Sequence, residues 1–340
     1  MLAARACDTP IYRYALENWK PAHYKLVIFN TQTHDTSALC DTIEAAHANI
    51  SVASVNLSAD VPAEYQALRE ASKNKPTPWM VLSYPDAVGA PRPLWSAPCT
   101  RENVAALLDS PLRTNLVQRL ASGDAAVWIL VGGGHSGDGI AKSMEAAIEK
   151  LSTEFLSQAV ESGSDARAHF SLLRVASDDP KEAVLLRMLT ERSKSAAIPA
   201  NDTARAYLVF GRGRAIGPLS GDEIDPSAIA RATAFLAGPC LCEIKEQNPG
   251  MDLLLDANWR ELLPRHRQKL TSDTASEISP APTPTATVAT PAPPVEASRP
   301  LTTAAAVEID SHVNTGVFCA ATLIGAGIVS LLYAFRGRRS

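Results

Sequence analysis

The distribution of apolar residues divides the chain into three parts. Before residue 263, short apolar runs alternate with stretches of helical spacing. Runs such as YKLVIF (Tyr24–Phe29) predict buried strands, and the spacing within Ser37–Ala48 predicts a helix with one apolar face. A tract rich in Pro, Thr and Ala follows at 268–312, and Thr315–Phe335 then runs without a charged residue. The pattern predicts an α/β region, an unfolded linker and one apolar transmembrane helix.

The order of predicted elements repeats within the α/β region. A short helical or irregular opening segment, Ile11–Trp19, comes first. The first half then runs strand, helix, strand, helix, strand, strand, helix: Tyr24–Phe29, Ser37–Ala48, Ile50–Leu57, Ala63–Ser72, Pro78–Ser83, Arg92–Trp95 and Thr100–Ala121. The second half has the same order: Ala125–Val131, Ile140–Val160, Phe170–Val175, Lys181–Arg192, Ala206–Phe210, Arg214–Leu219 and Pro226–Leu236.

Two parallel crossovers followed by an antiparallel hairpin and a covering helix resemble the thioredoxin fold. Pro78 stands where that family carries a cis-proline. The resemblance implies an α/β protein of two tandem thioredoxin-like domains (βαβαββα order), 7–122 and a degenerate copy at 123–262. It does not extend to the catalytic CxxC motif, because Asn30–Asp35 and Gly132–Gly139, the segments that would carry it, contain no cysteine. The opening segment Cys7–Trp19 also resembles that of membrane-anchored bacterial proteins, a likeness that implies no activity.

The C-terminal part predicts where the protein resides. Thr315–Phe335 is long enough to span a bilayer, and the tail 336–340 carries three arginines. Because basic residues beside a span favour the cytoplasmic side, we expect the bulk of the chain to be extracytoplasmic on a single-pass anchor. That topology requires an export signal, and Ala4–Ala6 matches an A-x-A cleavage pattern, which suggests a signal peptide upstream. The alternative is a tail-anchored protein whose folded part is cytosolic.

The charge of the chain excludes one class of partner. Acidic residues number 36 against 32 basic ones, a formal net charge of −4, and no long basic run is present. A nucleic-acid partner therefore has no electrostatic support. The partners that we expect are the membrane and a protein of unknown identity, without a cofactor or metal.

Three cysteines are candidates for redox or disulfide chemistry: Cys7, Cys240 and Cys242. Cys240 and Cys242 form a CxC pair, which can make a strained disulfide or offer two thiolates to a soft metal. A structural disulfide between one of them and a distant cysteine is the commoner use, and Cys7 would tie the opening segment to the end of the folded region. Inert thiols are the third alternative.

A glycine-rich turn follows the predicted strand Ala125–Val131. Its GxGxxG spacing is the weak candidate for cofactor binding: Gly132, Gly134 and Gly137. The acidic residue expected about 20 positions later is missing, and Asp138 would repel a phosphate. No spacing identifies a catalytic residue. The sequence therefore favours a membrane-anchored, non-catalytic binding or interaction protein over the alternative, a thiol-disulfide or soft-metal-handling protein that uses Cys240 and Cys242.

Overall fold

The computed structural model of the protein describes residues 7–31, 34–84, 92–162, 168–191, 203–240 and 250–263. Met1–Leu263 form one compact unit. The predicted linker, apolar helix and basic tail lie outside the described residues. Within the part of the chain that is described, no helix is both long and apolar enough to cross a membrane. The membrane span therefore stays a prediction.

The structure contains these strands: β1 Cys7–Pro10, β2 Tyr24–Asn30, β3 Ile50–Asn56, β4 Trp79–Ser83, β5 Pro93–Pro98, β6 Asp124–Val131, β7 His169–Val175, β8 Arg205–Phe210, β9 Arg214–Ser220, β10 Pro239–Cys240 and β11 Met251–Asp252. It contains these helices: α1 Ile11–Asn18, α2 Ser37–Ala45, α3 Gln66–Ala71, α4 Arg101–Leu108, α5 Pro111–Ser122, α6 Gly134–Ser162, α7 Ala183–Glu191, α8 Pro226–Ala237 and α9 Trp259–Leu262.

The predicted order of elements is confirmed in both halves, with two differences in detail. The helical region predicted at Thr100–Ala121 is two helices, because Pro111 has no N–H to continue a helix and instead opens α5. Helix α6 begins at Gly134 rather than at Ile140. The Gly137 N–H donates to the Gly133 carbonyl at 2.7 Å, so the helical hydrogen bonds start within the glycine-rich turn.

Each half builds its own sheet, so the fold is mixed α/β with two main sheets. The strand order is β3-β2-β4-β5 in the first sheet and β11-β9-β8-β6-β7 in the second. In each half the first two strands are parallel, and the third and fourth pair antiparallel. These are the crossovers and hairpins that the sequence pattern predicted. A separate two-stranded sheet joins β1 to β10.

The strand registers make the two halves comparable residue by residue. Phe29 of β2 lies opposite Trp79 of β4. Val131 of β6 lies opposite Arg205 of β8 in the same way. Counting along the ladders from these pairs gives equivalent positions in the two halves: Asn30 and Gly132, Ile50 and Phe170, Val52 and Leu172, Ser54 and Arg174, Pro78 and Ala204, and Cys99 and Gly221.

One continuous apolar core joins the two sheets. Buried side chains from both sheets meet those of α4, α5 and α7 in this core. The opposite face of the second sheet packs against α1, α6 and α8, and the ring of Trp19 lies 5.9 Å from that of Phe210. The opening segment therefore packs on the second sheet, although it precedes the first in sequence. Helix α3 covers the other face of the first sheet through Leu68.

The segment 250–257 ties the halves together, and no sequence pattern predicted it. In the first half, the Tyr24 hydroxyl donates to the Asp252 carbonyl at 2.7 Å, and Asn49 Nδ2 donates to the carbonyl of Leu253 at 3.2 Å. In the second half, Arg214 Nη1 lies 3.2 Å from Asp252 Oδ1. Buried polar groups require such partners, so the segment is held from both sides.

A buried arginine closes the junction between α4 and α5. Arg113 donates from Nε to Ser110 Oγ at 2.9 Å, and Glu182 accepts from Ser110 Oγ and from the Leu112 N–H. Burial lowers the pKa of Arg113 to about 10, so the side chain stays charged at neutral pH. Its guanidinium also donates to carbonyls that end α4 and to one of the segment 250–257: Ala106, Leu107, Leu108 and Leu254. Arg113 thus caps one helix while Glu182 caps the next.

Candidate functional site

The carboxyl end of the first sheet is where the thioredoxin resemblance would place chemistry. Asn30 ends β2 there, and the register of β2 with β4 brings Pro78 beside it. The Thr77–Pro78 peptide bond is cis, as the resemblance implied. Cys99 follows β5 at the same end, and its N–H donates to the Pro78 carbonyl at 2.9 Å. Cys40 of α2 lies near enough to raise the pKa of Cys99. Spacing along the chain did not associate these two cysteines, because only the strand order brings them together.

The chemistry of this cysteine pair follows from its surroundings. Burial, with a smaller contribution from Cys40, raises the pKa of the Cys99 thiol to about 11. Burial also raises the pKa of Cys40, against the opposing effect of a hydrogen bond with Thr36. Both are free thiols. Because the thiolate is the nucleophile, these surroundings favour the less reactive, protonated form of both cysteines.

The described polar side chains of the turn from β2 to α2 form hydrogen bonds within the turn itself. Asp35 precedes Thr36, the N-cap residue of α2, and its Oδ1 accepts a hydrogen bond from the Ser37 N–H at 2.9 Å, which forms an Asx-turn. Hydrogen bonds with Ser37 hold the pKa of the Asp35 carboxyl below its usual value. Thr31 Oγ1 lies 3.1 Å from His34 Nδ1. The described side chains of this turn therefore serve its geometry.

The equivalent turn from β6 to α6 is closed by glycine packing. Gly132, Gly133 and Gly134 all adopt positive φ, at 71°, 96° and 45°. A Cβ on Gly133 would lie 2.8 Å from Gly137 Cα and 3.1 Å from Ala204 Cβ. Ala204 is the equivalent of Pro78. In the second half, backbone atoms and the methyl group of Ala204 therefore fill the space that corresponds to the surroundings of the cis-proline in the first half.

The residues predicted for cofactor binding lie in this turn: Gly132, Gly134 and Gly137. Asp138, immediately after them, forms an ion pair with Arg174 of β7. That pair places a carboxylate directly after the first turn of α6, near the end of the helix where a pyrophosphate would have to bind. The described geometry thus adds no support to nucleotide binding beyond the spacing itself.

A Ser, a His and an Asp meet at the other end of the second sheet, although no spacing indicated it. His169 Nδ1 lies 2.7 Å from one oxygen of Asp124, and Ser171 Oγ donates to the other oxygen. A hydrolytic triad places the histidine between the serine and the carboxylate. In this cluster the carboxylate lies between the other two, so His169 is not placed to act as the general base for Ser171.

A groove of ≈ 680 Å³ runs beside that cluster, between α6 and β7. Leu156, 44% exposed, contributes apolar surface, and Glu145 and Glu149 contribute two carboxylates.

Two of the three candidate disulfide residues lie opposite each other in a pair of strands. Antiparallel pairing of β1 with β10 places Cys7 opposite Cys240. The Ile11 N–H donates to the Gly238 carbonyl at 3.0 Å beside this pair. The side chains of Cys7 and Cys240, and all of Cys242, lie outside the described part of the chain.

Comparison with known proteins assigns no family. No protein-family model matches the chain, and no curated protein matches it in sequence. Among solved structures the chain is similar to the alkylhydroperoxide reductase protein AhpF from Enterococcus faecalis, with 12% identity, 64% of this chain and 91% of that chain covered, and a TM-score of 0.18. A likeness at this level carries no argument about fold or activity.

Proposed function

We propose that this chain is a non-catalytic interaction protein, tethered to a membrane, in which two thioredoxin-like halves share one core. One observation carries the proposal: the turns where a thioredoxin fold holds its reactive cysteines are held by side-chain hydrogen bonds in one half and by glycine packing in the other. Neither turn contains a cysteine. A protein that keeps this scaffold without its nucleophile retains surfaces for binding.

A recurring hydrogen bond supports the thioredoxin-like repeat. The Cys99 N–H donates to the Pro78 carbonyl, and at the equivalent positions the Gly221 N–H donates to the Ala204 carbonyl; both distances are 2.9 Å. The same strand order and the same closing contact recur although the side chains differ. This is what a duplicated unit with a diverged second copy would retain.

The tether and the location are proposed from the sequence. Thr315–Phe335 would form the anchor, and the arginines after it would remain in the cytoplasm. A disulfide between Cys7 and Cys240, which lie opposite each other in the backbone pairing, would support an extracytoplasmic location for the folded part, because disulfides persist in oxidising compartments. Joining the two thiols would release two protons and pass two electrons to a disulfide-donating oxidant of that compartment.

The alternative function, thiol-disulfide or soft-metal handling by Cys240 and Cys242, is distinguished by an insulin-reduction assay on the full chain. We expect no activity above background in the wild type, in a Cys240→Ser, Cys242→Ser variant, or in a Cys40→Ser, Cys99→Ser variant. Activity lost in the first variant and kept in the second would replace our proposal with the alternative.

Labelling with a membrane-impermeant maleimide tests the location. In intact cells we expect labelling of Cys7 and Cys240 only after reduction. Labelling that requires lysis but no reductant would place the folded part in the cytosol and exclude the disulfide. Peptide mass mapping without reduction identifies the partner, since a Cys240–Cys242 linkage would leave Cys7 as a free thiol.

A further inference from the structure

The outer edge of β3 carries main-chain groups that no described residue satisfies. Strand β3 is the last strand of the first sheet and pairs only with β2. The Tyr24 N–H donates to the Asn49 carbonyl, and the Leu57 N–H donates to the Asn30 carbonyl. These two bonds set the phase of the parallel ladder, so the odd-numbered residues of β3 face β2. The N–H and C=O groups of Val52 and Ser54 therefore point away from the sheet.

The equivalent edge of the second half is covered in part. Strand β7 is the last strand of its sheet, and its even-numbered residues point outward in the same way. There, the Phe170 N–H donates to Ser152 Oγ at 3.2 Å, and the Leu172 carbonyl accepts from Arg119 Nη1 at 3.4 Å. The Leu172 carbonyl corresponds to the Val52 carbonyl, which stays open in β3. The Ile50 N–H, which corresponds to that of Phe170, donates to the Ala48 carbonyl at 2.8 Å.

The remaining sheet edges are also protected against pairing. Strand β5 begins and ends with proline, at Pro93 and Pro98, and proline cannot donate to a neighbouring strand. Strand β11, at the far edge of the second sheet, is only two residues long. Natural proteins commonly protect sheet edges by prolines, short strands and covering side chains. Among the described edges of the two main sheets, β3 has none of these.

The composition of β3 makes it suitable for pairing. Its sequence, ISVASVN, is rich in β-branched residues, and no charged residue, proline or glycine occurs anywhere in 49–58. A charge on an edge strand is the usual device against unwanted pairing. The strand therefore offers seven neutral residues and an open ladder to an extended backbone of matching length.

We propose that β3 pairs antiparallel with β3 of a second copy of this chain, so that two four-stranded sheets join edge to edge. A charged partner strand would lie opposite serine, valine and alanine, which provide no counterion; β3 is itself a neutral strand. With Ala53 on the two-fold axis, Val52 of one copy lies opposite Ser54 of the other. Both have outward N–H and C=O groups, so the pair exchanges two hydrogen bonds on each side of the axis.

The contact is small for a protein interface. Stable interfaces bury about 1,200–2,000 Å² in total, more than one pair of seven-residue strands provides. We therefore expect a dimer whose population rises with concentration, and attachment to a common membrane would favour it. The inference goes beyond the proposed function and depends on neither the anchor nor the absence of catalysis.

The test compares two matched variants of the full chain in non-ionic detergent. Ser51→Lys with Ser54→Lys places two charges on the open edge. It also removes the hydrogen bonds of both serines to β2, so the amides of Ala53 and Val55 must stay protected in this variant for the comparison to hold. Ser96→Lys places the same side chain on the protected edge β5 of the same sheet, where Ser96 is also exposed. Sedimentation velocity over a range of concentrations should show a dimer in the wild type. We expect the dissociation constant to rise at least about tenfold in the double variant and to stay within about twofold in the control.

Amide hydrogen exchange of the wild type gives a second measurement that needs no variant. The amides of Ala53 and Val55 pair with β2 and should be protected at every concentration. Those of Val52 and Ser54 should exchange fast in dilute protein and become protected as the concentration rises. A wild type that stays monomeric, with Val52 and Ser54 exchanging fast throughout, would overturn the inference. So would a dimer that both lysine variants weaken equally, because it would use another surface.

Discussion

The two halves of the molecule have the same strand order, but they differ in how the edge strand and the first turn are covered. In the second half, Ser152 and Arg119 cover the edge of β7, and packed glycines fill the turn at the end of β6. In the first half, the edge of β3 is open, and the turn after β2 is held by surface hydrogen bonds such as that of Asp35. The backbone order is the same in both halves, so the difference between the two edges lies in their side chains.

This difference implies a division of roles within one core. The second half receives α1 on one face and contributes to the shared core on the other, so its sheet is covered on both sides. The first half has the shorter helix α3 on its outer face and an edge strand of neutral residues. We infer that the second half serves mainly as support and that the first half presents the binding edge.

The largest expected effect comes from breaking the junction between the halves. Arg113→Ala removes a buried charge that faces Glu182 and leaves the carbonyls at the end of α4 without donors. Removing one partner of a buried ionic network costs about 3–5 kcal/mol. We expect this loss in the free energy of unfolding measured in urea, with one transition for both halves. Exposed Arg101→Ala should cost less than about 0.5 kcal/mol. Two separate transitions would mean that the halves fold independently.

The elements were predictable because each is encoded locally. Tyr24–Phe29 and Ala125–Val131 are apolar runs between turn residues. Pro111 marks the start of α5, which the apolar pattern alone did not separate from α4. The segment 250–257 could not be predicted, because its contacts with Tyr24 and Asn49 join residues that lie far apart in sequence.

The candidate site was predictable only in part. Pro78 was expected to be cis from its position before the third strand, and it is. The proximity of Cys40 to Cys99 depends on which strands are neighbours, and no spacing contains that information. The open edge of β3 likewise follows only from the observed sheet order, although its lack of charge is visible in the sequence.

A second prediction separates packing from backbone conformation in the glycine turn of the second half. Gly133 and Gly123 both have positive φ, but a Cβ on Gly123 would meet nothing within 4 Å. Gly123→Ala should therefore cost about 1–2 kcal/mol from conformation alone. Gly133→Ala adds a clash with Gly137 and should cost about 1–3 kcal/mol more. Urea unfolding of the two variants measures the difference, and equal losses would show that the turn is not closed by packing.

A third prediction makes the second half resemble the first. Arg119→Ala with Ser152→Ala removes the two side chains that cover β7, at a cost in unfolding free energy of about 1–2 kcal/mol. We expect this variant to associate more strongly than the wild type in sedimentation, and its Leu172 amide to gain protection with concentration. Arg101→Ala with Ser157→Ala makes the same substitutions away from the edge and should leave association unchanged. Unchanged association in the first variant would show that these side chains do not protect β7.

The smallest effect concerns the turn of the first half. The hydrogen bonds of Ser37 hold the pKa of Asp35 below the ordinary value of 3.8, so the folded state binds this proton less readily than the unfolded state. Stability from this contact is present above the unfolded pKa and is lost as the pH falls through the lowered value. An NMR titration should show the depressed pKa in the wild type and a higher pKa in Ser37→Ala. Because Asp35 is exposed, unfolding near neutral pH should hardly change. An unshifted pKa in the wild type would mean that the contact of Asp35 with Ser37 does not hold the turn after β2. The difference between this turn and the glycine turn after β6 would then rest on other contacts.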